Sequence, residues 1–361
     1  MVIIKMNYKN ILITGGAGFV GSNLAIKFKE KYPKTCIYVL DNLKRSGSEL
    51  NLPRLKSKGI IFVHGDIRNK EDFDELGKID LLIECSAEPS VMAGINSSPT
   101  YLINTNLNGT INCLEFARKN KSAFIFISTS RVYPIEKING LNYVEEKTRF
   151  SLKKKQMIRG ASDQGISEEF PLLGARSLYG ATKLSSELLL EEYIYNYGLK
   201  GIINRCGVIT GPWQMGKVDQ GVFVLWVARH IFGGKLSYIG YGGQGKQVRD
   251  FIHIDDLFGL LDIQINNINK FSGNTYNVGG GIKNSVSLKE LTAMCEKVTG
   301  NKIQINSVNK TRPADLKLFI TNAEKIKKLA HWKPKKDLEQ TIVDIAKWVN
   351  ENKELLRPIL S

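Results

Sequence analysis

The sequence has few cysteines and histidines for its length, and their spacing suggests neither a disulfide framework nor a metal site. The five cysteines form no CxxC pair, and four lie in apolar segments typical of buried, reduced thiols; they are Cys36, Cys85, Cys113, Cys206 and Cys295. The four histidines show no ligand spacing with cysteines or carboxylates; they are His64, His230, His253 and His331. No metal site is therefore predicted, and His253 is interpreted as a neutral core residue.

Long apolar runs are also missing. No stretch approaches the roughly 20 residues that span a bilayer. Residues 1–10 lack the apolar core and small-residue cleavage site of a signal peptide. We therefore expect a cytoplasmic protein without a membrane partner.

Acidic residues are outnumbered, since 35 Asp and Glu face 51 Lys and Arg, which gives a net charge of +16. Such an excess favours anionic partners, nucleic acids among them. Most of the lysines are scattered, however, and the tight clusters at 153–155 and 333–336 have no interleaved aromatic residues for base stacking. We interpret the charge as a solvated, lysine-rich surface and predict no nucleic-acid partner.

The first part of the chain alternates short apolar runs with amphipathic helical stretches. This pattern indicates βαβ units and predicts an α/β fold with a Rossmann-type, doubly wound parallel sheet. The predicted strands are 11–14, 36–41, 60–64, 81–85 and 124–128. The predicted helices are 21–31, 106–119 and 179–197.

A glycine-rich turn, Thr14-Gly15-Gly16-Ala17-Gly18-Phe19-Val20-Gly21, joins the first strand to the first helix. Its GxxGxxG spacing permits a tight turn and lets backbone N–H groups approach a pyrophosphate at the helix N-terminus. Asp41 ends the next strand, where a carboxylate binds the adenosine ribose and repels a 2′-phosphate. The pattern predicts NAD, and nearby Arg45 leaves NADP as an alternative. The predicted contacts are Gly15, Gly18, Phe19, Val20, Asp41, Asn42 and Arg45.

The segment Tyr179-Gly180-Ala181-Thr182-Lys183 places a phenol and an ammonium on one face of a predicted helix. A nearby cation lowers the pKa of a tyrosine, which then acts as a base near neutral pH. Thr129 lies fifty residues upstream of Tyr179 at the end of an apolar strand, where its hydroxyl can share a hydrogen bond with a substrate hydroxyl. The predicted catalytic triad is Thr129, Tyr179 and Lys183.

These motifs together resemble the extended short-chain dehydrogenase/reductase family, over about residues 10–329. The run Asn106-Leu107-Asn108-Gly109-Thr110 is similar to the family's NxxGT segment, which implies that Asn106 supports the active site. The resemblance implies an NAD-dependent enzyme acting on a nucleotide-linked sugar. It also implies a homodimer formed through the helices 106–119 and 179–197. Further implied cofactor contacts are Asp66, Ile67, Ser86, Ala87, Asn106, Tyr179 and Lys183.

The fold does not select the reaction, because the family contains 4-epimerases, 2-epimerases, 4,6-dehydratases, decarboxylases and reductases. Its dehydratases carry Asp-Glu directly after the active-site threonine, and its decarboxylases tend to carry Glu at the second position. Here the two residues are Ser130 and Arg131, which disfavours both reactions. The favoured reaction is epimerisation, in which Tyr179 removes a hydroxyl proton and the sugar is transiently oxidised to a keto sugar.

Two arginine motifs are similar to the family's diphosphate-binding arginines: Arg249 within 245–253 and Arg312 within 311–315. Guanidinium groups match phosphate oxygens in geometry and charge. The runs 64–69 and 218–221 and the long insertion before Tyr179 resemble the CDP-paratose 2-epimerase group, which implies reaction at C2 of a CDP-sugar. The predicted substrate contacts are Glu88, Ser130, Arg131, Gln214, Asp219, Gln220, Gln247, Arg249, Arg312 and Asp315.

The predicted organisation is an NAD-binding Rossmann domain over 1–200 and a smaller, mainly substrate-binding α/β part over 201–361. The insertion 135–176 is interpreted as a long loop or lid, and 252–281 is expected to pack back on the Rossmann domain. Residues 84–88 and 211–216 depart from the 2-epimerase group's patterns. The alternatives are a UDP-sugar 4-epimerase, another NDP-sugar dehydratase or decarboxylase, and an NAD-binding regulatory protein.

Overall fold

The computed structural model describes residues 6–217 and 220–361. Contacts divide the chain into two compact units. The first contains the residues up to Thr129 together with Leu178–Arg205 and Phe258–Thr275. The second contains Ser130–Ser177, Cys206–Leu257 and Tyr276–Ser361. By its contacts, the segment 135–176 belongs to the second unit, and not to the dinucleotide-binding part into which the sequence analysis placed it.

Short strands and helices alternate along the described residues. The strands are β1 (Asn10–Thr14), β2 (Cys36–Asp41), β3 (Ile61–His64), β4 (Leu81–Glu84), β5 (Ala123–Thr129), β6 (Tyr143–Glu145), β7 (Phe150–Leu152), β8 (Ala161–Ser162), β9 (Gly165–Ile166), β10 (Gly201–Cys206), β11 (Val208–Thr210), β12 (Leu236–Ile239), β13 (Val248–His253), β14 (Asn274–Val278), β15 (Ser285–Ser287), β16 (Ile305–Val308) and β17 (Leu318–Phe319). The helices are α1 (Phe19–Lys31), α2 (Leu52–Ser57), α3 (Thr100–Ile103), α4 (Gly109–Asn120), α5 (Ile135–Asn139), α6 (Leu178–Tyr197), α7 (Val222–Phe232), α8 (Ile254–Asn266), α9 (Ile268–Phe271), α10 (Leu288–Thr299), α11 (Glu324–Ala330), α12 (Leu338–Glu351) and α13 (Lys353–Leu360). A π-helical turn, Asn104–Asn108, separates α3 from α4.

The first unit is built on the large sheet, whose strand order is β14-β10-β5-β4-β1-β2-β3, with β14 beginning in this unit. The pairs β1–β2, β2–β3, β1–β4 and β4–β5 are parallel. Because β2 and β3 lie on one side of β1 and β4 on the other, the chain reverses direction across the sheet between β1 and β4. Ligands bind at such a switch point, beyond the carboxyl ends of the strands. The predicted Rossmann-type sheet is confirmed.

The core of the first unit explains why the central strands are apolar almost throughout. Leu12, Leu82 and Phe124, from three neighbouring strands, are buried in one cluster with Cys113 and Leu114 of α4. Helices cover both faces of a parallel sheet, so both faces of a central strand are buried. Its sequence therefore does not alternate between apolar and polar residues. This is why short apolar runs sufficed to predict these strands.

The second unit contains a four-stranded sheet with the order β11-β13-β15, in which β17 also pairs with β13. The prediction of an unstructured long loop over 135–176 was wrong, and the alternative of a lid stays a prediction. The segment contains α5 and two small hairpins, β6–β7 and β8–β9. It is anchored where Tyr143 and Leu152 pack against buried Val248 and Leu318. Those apolar residues are separated in the sequence by charged ones, which hid the strands from a search for periodicity.

Two smaller predictions can also be compared with the structure. Cys113, Cys206 and Cys295 are buried thiols, whereas Cys36 and Cys85 are only half-buried. In the described part of the chain, no helix combines the length and the apolar character needed to cross a membrane.

Candidate cofactor and active site

The glycine-rich turn between β1 and α1 leaves no room for side chains at Gly15, Gly16 and Gly21. A Cβ atom at Gly15 would lie 2.8 Å from the backbone nitrogen of Ser86, and one at Gly21 would lie 2.3 Å from the carbonyl oxygen of Gly15. Gly15 also has a φ of 63°, which favours glycine. Glycine at these positions therefore lets α1 start close to the ends of β1 and β4.

The N-terminus of α1 has no side-chain cap. The residue before it, Gly18, has no side chain that could accept a hydrogen bond, and the first turn contains no acidic residue. The first backbone N–H groups and the positive end of the helix dipole form an anion-binding site. The N–H of Gly18 donates to the carbonyl oxygen of Gly15 at 3.0 Å, so the residues present fit the pyrophosphate of a dinucleotide at Phe19 and Val20.

Asp41, at the end of β2, is held by the same turn. Its Oδ2 accepts a hydrogen bond from the backbone N–H of Ala17 at 3.1 Å, and its Oδ1 accepts one from Leu43 at 2.8 Å. Burial raises the pKa of Asp41, and these hydrogen bonds oppose the rise. Arg45 lies close by in the chain, and its carbonyl oxygen accepts a hydrogen bond from the hydroxyl of Ser48. Asp41 therefore connects the end of β2 to the glycine-rich turn.

The structure brings three other predicted cofactor residues together. The side-chain amide of Asn42 donates to Asp66 Oδ2 at 2.7 Å. Arg68 pairs with the same carboxylate through Nε at 2.9 Å and Nη2 at 2.6 Å. Burial would raise the pKa of Asp66, but the hydrogen bonds from Arg68 and Asn42 prevail and lower it to about 2. Ile67, which follows Asp66, is buried, with its side chain where a Cβ of Gly109 would lie.

Asn106 supports the segment that follows β4. Its Oδ1 accepts from the backbone N–H of Glu88 at 2.8 Å, and its Nδ2 donates to the Glu88 carbonyl at 3.1 Å. The same Nδ2 lies 3.4 Å from the hydroxyl of Thr182 on α6. Asn106 thus connects the chain beyond Ser86 and Ala87 to the helix that carries the predicted base. It belongs to the π-helical turn, a distortion frequent at functional sites.

The predicted catalytic residues all lie in the first unit. Thr129 is the last residue of β5, and Tyr179 and Lys183 are one turn apart near the start of α6, which packs on β5. Lys183 is only 2% exposed. Its Nζ lies 3.8 Å from the ring centre of Phe126, three residues before Thr129. The ends of β5 and α6 therefore present a hydroxyl, a phenol and an ammonium from adjoining elements.

The sequence analysis missed a buried ion pair behind these residues. Arg205 on β10 donates to Glu187 Oε2 through Nε at 2.9 Å and Nη2 at 2.7 Å. The hydroxyl of Ser128, which directly precedes Thr129, also donates to Glu187. The available signals were an arginine inside an otherwise apolar strand and a glutamate one helical turn after Lys183. This network fixes α6 against the strand that carries Thr129.

The profile of the NAD dependent epimerase/dehydratase family matches residues 11–279. The chain belongs to this family. It is 32% identical over 349 residues to the CDP-paratose 2-epimerase of Salmonella typhi, a match that covers 94% of this chain and 99% of that one. The family is NAD-dependent, which confirms the predicted cofactor and the general class of enzyme.

Two solved structures of sugar-nucleotide enzymes share the fold of this epimerase/dehydratase. The dTDP-glucose 4,6-dehydratase of Bacillus anthracis in complex with NAD has 27% identity and a TM-score of 0.75, covering 97% of this chain and 99% of that chain. The UDP-glucose 4-epimerase of Thermotoga maritima with UDP-glucose has 26% identity and a TM-score of 0.75, covering 95% and 99%. Enzymes named for different reactions therefore share this fold.

In the second unit of this epimerase/dehydratase, three predicted substrate residues converge on one short segment. Arg131 Nη1 donates to the carbonyl oxygen of Ala314 at 3.1 Å. Arg249 Nη2 donates to Asp315 Oδ1 at 2.9 Å. Arg312 is half-buried in the same segment. These three guanidinium groups, with one carboxylate as counter-charge, give the segment the positive charge that a diphosphate requires.

Two predicted glutamines of the second unit are hydrogen-bonded to the ends of nearby strands, β11 and β12. Gln214 accepts from the hydroxyl of Thr210 and donates to the carbonyl of Ile209, both at 3.0 Å. Gln247 donates to the carbonyl of Ile239 at 2.6 Å. Both amides therefore shape loops, and Oε1 of Gln247 is buried with no hydrogen-bond partner among residues 6–217 and 220–361.

The remaining predicted substrate residues are less informative. Ser130 begins the short turn that follows Thr129. The backbone of Gln220 pairs with that of Lys217. Asp219 lies outside the described residues.

Proposed function

We propose that this enzyme epimerises a nucleoside-diphosphate sugar by transient oxidation to a keto sugar, at C2 of a CDP-sugar. The observation that carries the proposal is the pair of residues after Thr129. Ser130 and Arg131 stand where the family's dehydratases carry an acid and a base, and the Arg131 guanidinium is hydrogen-bonded to Ala314. Neither a serine hydroxyl nor a guanidinium changes its charge near neutral pH, so neither can replace the carboxyl groups that serve the dehydratases as acid and base.

The triad supplies what epimerisation requires. Tyr179 removes the proton of the sugar hydroxyl, the Thr129 hydroxyl shares a hydrogen bond with that oxygen, and the Lys183 ammonium stabilises the phenolate. NAD, when bound at the glycine-rich turn, supplies reversible oxidation of the sugar carbon. No group leaves the sugar. The reaction therefore needs only a pocket in which the keto sugar can rotate, so that hydride returns to the opposite face of the carbonyl.

The choice of C2 and of CDP rests on similarity. The Salmonella typhi relative is named for that reaction, and it matches this chain almost end to end. A UDP-sugar 4-epimerase, which uses the same triad with C4 in place of C2, is the second candidate because a solved UDP-glucose 4-epimerase shares the fold.

The test is to incubate the purified enzyme with CDP-paratose and a panel of UDP-, GDP- and dTDP-sugars in deuterated water, and to follow each stereocentre by NMR. Inversion at C2 of a CDP-sugar without deuterium uptake is expected, and the Tyr179→Phe variant should not show it. Inversion at C4 of a UDP-sugar would replace the proposal by the second candidate. Tight NAD binding without turnover of any sugar would favour a regulatory protein.

The proposal also assigns the residues that bind NAD and the sugar nucleotide. We propose that NAD is bound by the glycine-rich turn and by Asp41, Asn42, Arg45, Asp66, Ile67, Ser86, Ala87 and Asn106. The diphosphate side of the sugar nucleotide is assigned to Arg249 and Arg312.

A homodimer through α4 and α6 is expected, and light scattering of the purified enzyme tests it. A cytoplasmic location stays a prediction.

A further inference from the structure

Glu84, the last residue of β4, is a buried carboxyl group with no role in the assignments above. It is fully buried and pairs in register with Thr14 on β1 and with Phe126 on β5. Its Oε1 accepts a hydrogen bond from the hydroxyl of Thr110 at 2.6 Å. Its Oε2 is buried with no hydrogen-bond partner in the part of the chain that the structure describes. Such an oxygen is costly to bury, unless a nearby charge compensates for it.

Lys183 supplies that charge. Its Nζ lies 3.8 Å from the ring centre of Phe126, the strand neighbour of Glu84. The face of an aromatic ring attracts a cation, but burial in general disfavours an ammonium ion. A carboxylate on the same side of the sheet offsets that penalty.

The other described groups around Glu84 are not charged. The hydroxyls of Thr14 on β1 and Thr110 on α4 do not ionise, and β5 presents Phe126. The Cys113 thiol on α4 is kept neutral because burial, and then the charge of Glu84, raise its pKa well above the usual range. Lys183 on α6 is therefore the cation that acts on Glu84.

We propose that Glu84 is a positioning residue that acts through Lys183, as the counter-ion that keeps the ammonium protonated at alkaline pH. The proposal rests on the proposed role of Lys183 beside the base Tyr179. Burial raises the pKa of Glu84 to about 7, against the opposing effects of Lys183 and Thr110. Glu84 thus becomes anionic as the pH rises into the range in which a buried lysine would otherwise lose its proton.

The first test is the pH profile of kcat for Glu84→Gln, which resembles the protonated form of Glu84. Well below pH 7 the variant and the wild type should have similar kcat, because the side chain at position 84 is neutral in both. The alkaline limb should move to lower pH in Glu84→Gln by about one unit, so that kcat is about tenfold lower at pH values above both limbs. Thr110→Val, which removes the hydrogen bond and keeps the charge, should retain the wild-type alkaline limb.

The second test needs no sugar substrate. Infrared difference spectra of wild type and Glu84→Gln should reveal a carboxyl band that titrates near pH 7. In Lys183→Met, the same band should titrate at higher pH, because the lysine charge that favours the carboxylate is gone.

Three results would overturn the proposal: an unshifted alkaline limb in Glu84→Gln, an equal loss of kcat at every pH, or a carboxyl titration insensitive to Lys183→Met. The infrared comparison of wild type with Lys183→Met decides the matter if Glu84→Gln does not fold. It also separates failure of this inference from failure of the proposed reaction.

Discussion

Arg205 and Glu187 form an ion pair whose side chains are only 6% and 1% exposed. Two guanidinium nitrogens share one carboxylate oxygen, and Ser128 donates to the other. Removing either partner leaves an uncompensated charge in the interior, which is far more costly than losing a surface contact. The stability of the first unit and the placement of α6 therefore depend on the same pair.

We expect Arg205→Met to lower the free energy of unfolding by about 3–5 kcal/mol, because Glu187 is left buried and unpaired. Urea titration measures the loss. The control is Lys297→Met, since Lys297 and Glu339 are 61% and 50% exposed and such a pair contributes about 1 kcal/mol or less. Equal losses in the two variants would contradict the expected importance of the buried pair.

Tyr179→Phe should lower kcat by about 10²–10⁴-fold, the usual contribution of a general base. The ring remains in place, so NAD affinity, measured by calorimetry, should change little. Tyr195→Phe is the matched control on the same helix, because Tyr195 is 87% exposed. A Tyr179→Phe enzyme with wild-type turnover would refute the assignment of the base.

Arg249→Met should raise KM for the sugar nucleotide by about 10–100-fold, the loss of one charged hydrogen bond to a phosphate. The change also leaves Asp315, the present partner of Arg249, close to the bound anion. Arg159→Met, on a largely exposed arginine of the same unit, serves as the control. Steady-state kinetics decides the assignment, since an unchanged KM would place the diphosphate elsewhere.

The buried carboxyl group of Asp250 should make the free energy of unfolding depend on pH. Burial raises its pKa to about 6, although Gly281 and Thr321 donate hydrogen bonds to it. An acid whose pKa is raised by folding stabilises the fold below its unfolded pKa, and this stabilisation is lost as the pH rises through the folded pKa.

Relative to Asp250→Asn, the wild type should therefore lose about 3 kcal/mol of stability between pH 4 and pH 7. Urea titrations at several pH values measure the difference between the two proteins. The matched control is Glu351→Gln, on an exposed glutamate, measured in the same way. A flat Asp250→Asn difference would mean that folding does not raise the pKa of Asp250.

Local patterns in the sequence predicted the fold because the sheet is buried on both faces. The runs ending at Thr14, Asp41 and Thr129 are short and apolar, and each has strand length. The turn from Gly15 to Gly21 and the tyrosine and lysine of α6 are likewise local motifs. Each places its chemistry within one turn or one helix, so no tertiary contact was needed to find it.

Contacts between distant residues could not be predicted in this way. Glu187 lies 59 residues from Ser128 and 18 from Arg205, and only the packing of α6 brings them together. Glu84 stood out as a departure from the family's pattern, but its proximity to Lys183 depends on how α6 packs against β5. The hairpins within 143–166 depend in the same way on contacts outside the segment.

The N-terminus of α1 lacks the side-chain cap that two helices of the second unit have. Ser287 with Glu290, and Asp337 with Gln340, form capping boxes at α10 and α12. At α1 the position before the helix is Gly18, which has no side chain to accept hydrogen bonds. A phosphate bound there would accept them instead. Removal of NAD should therefore fray the start of this helix, since its first N–H groups have no side chain to accept their hydrogen bonds.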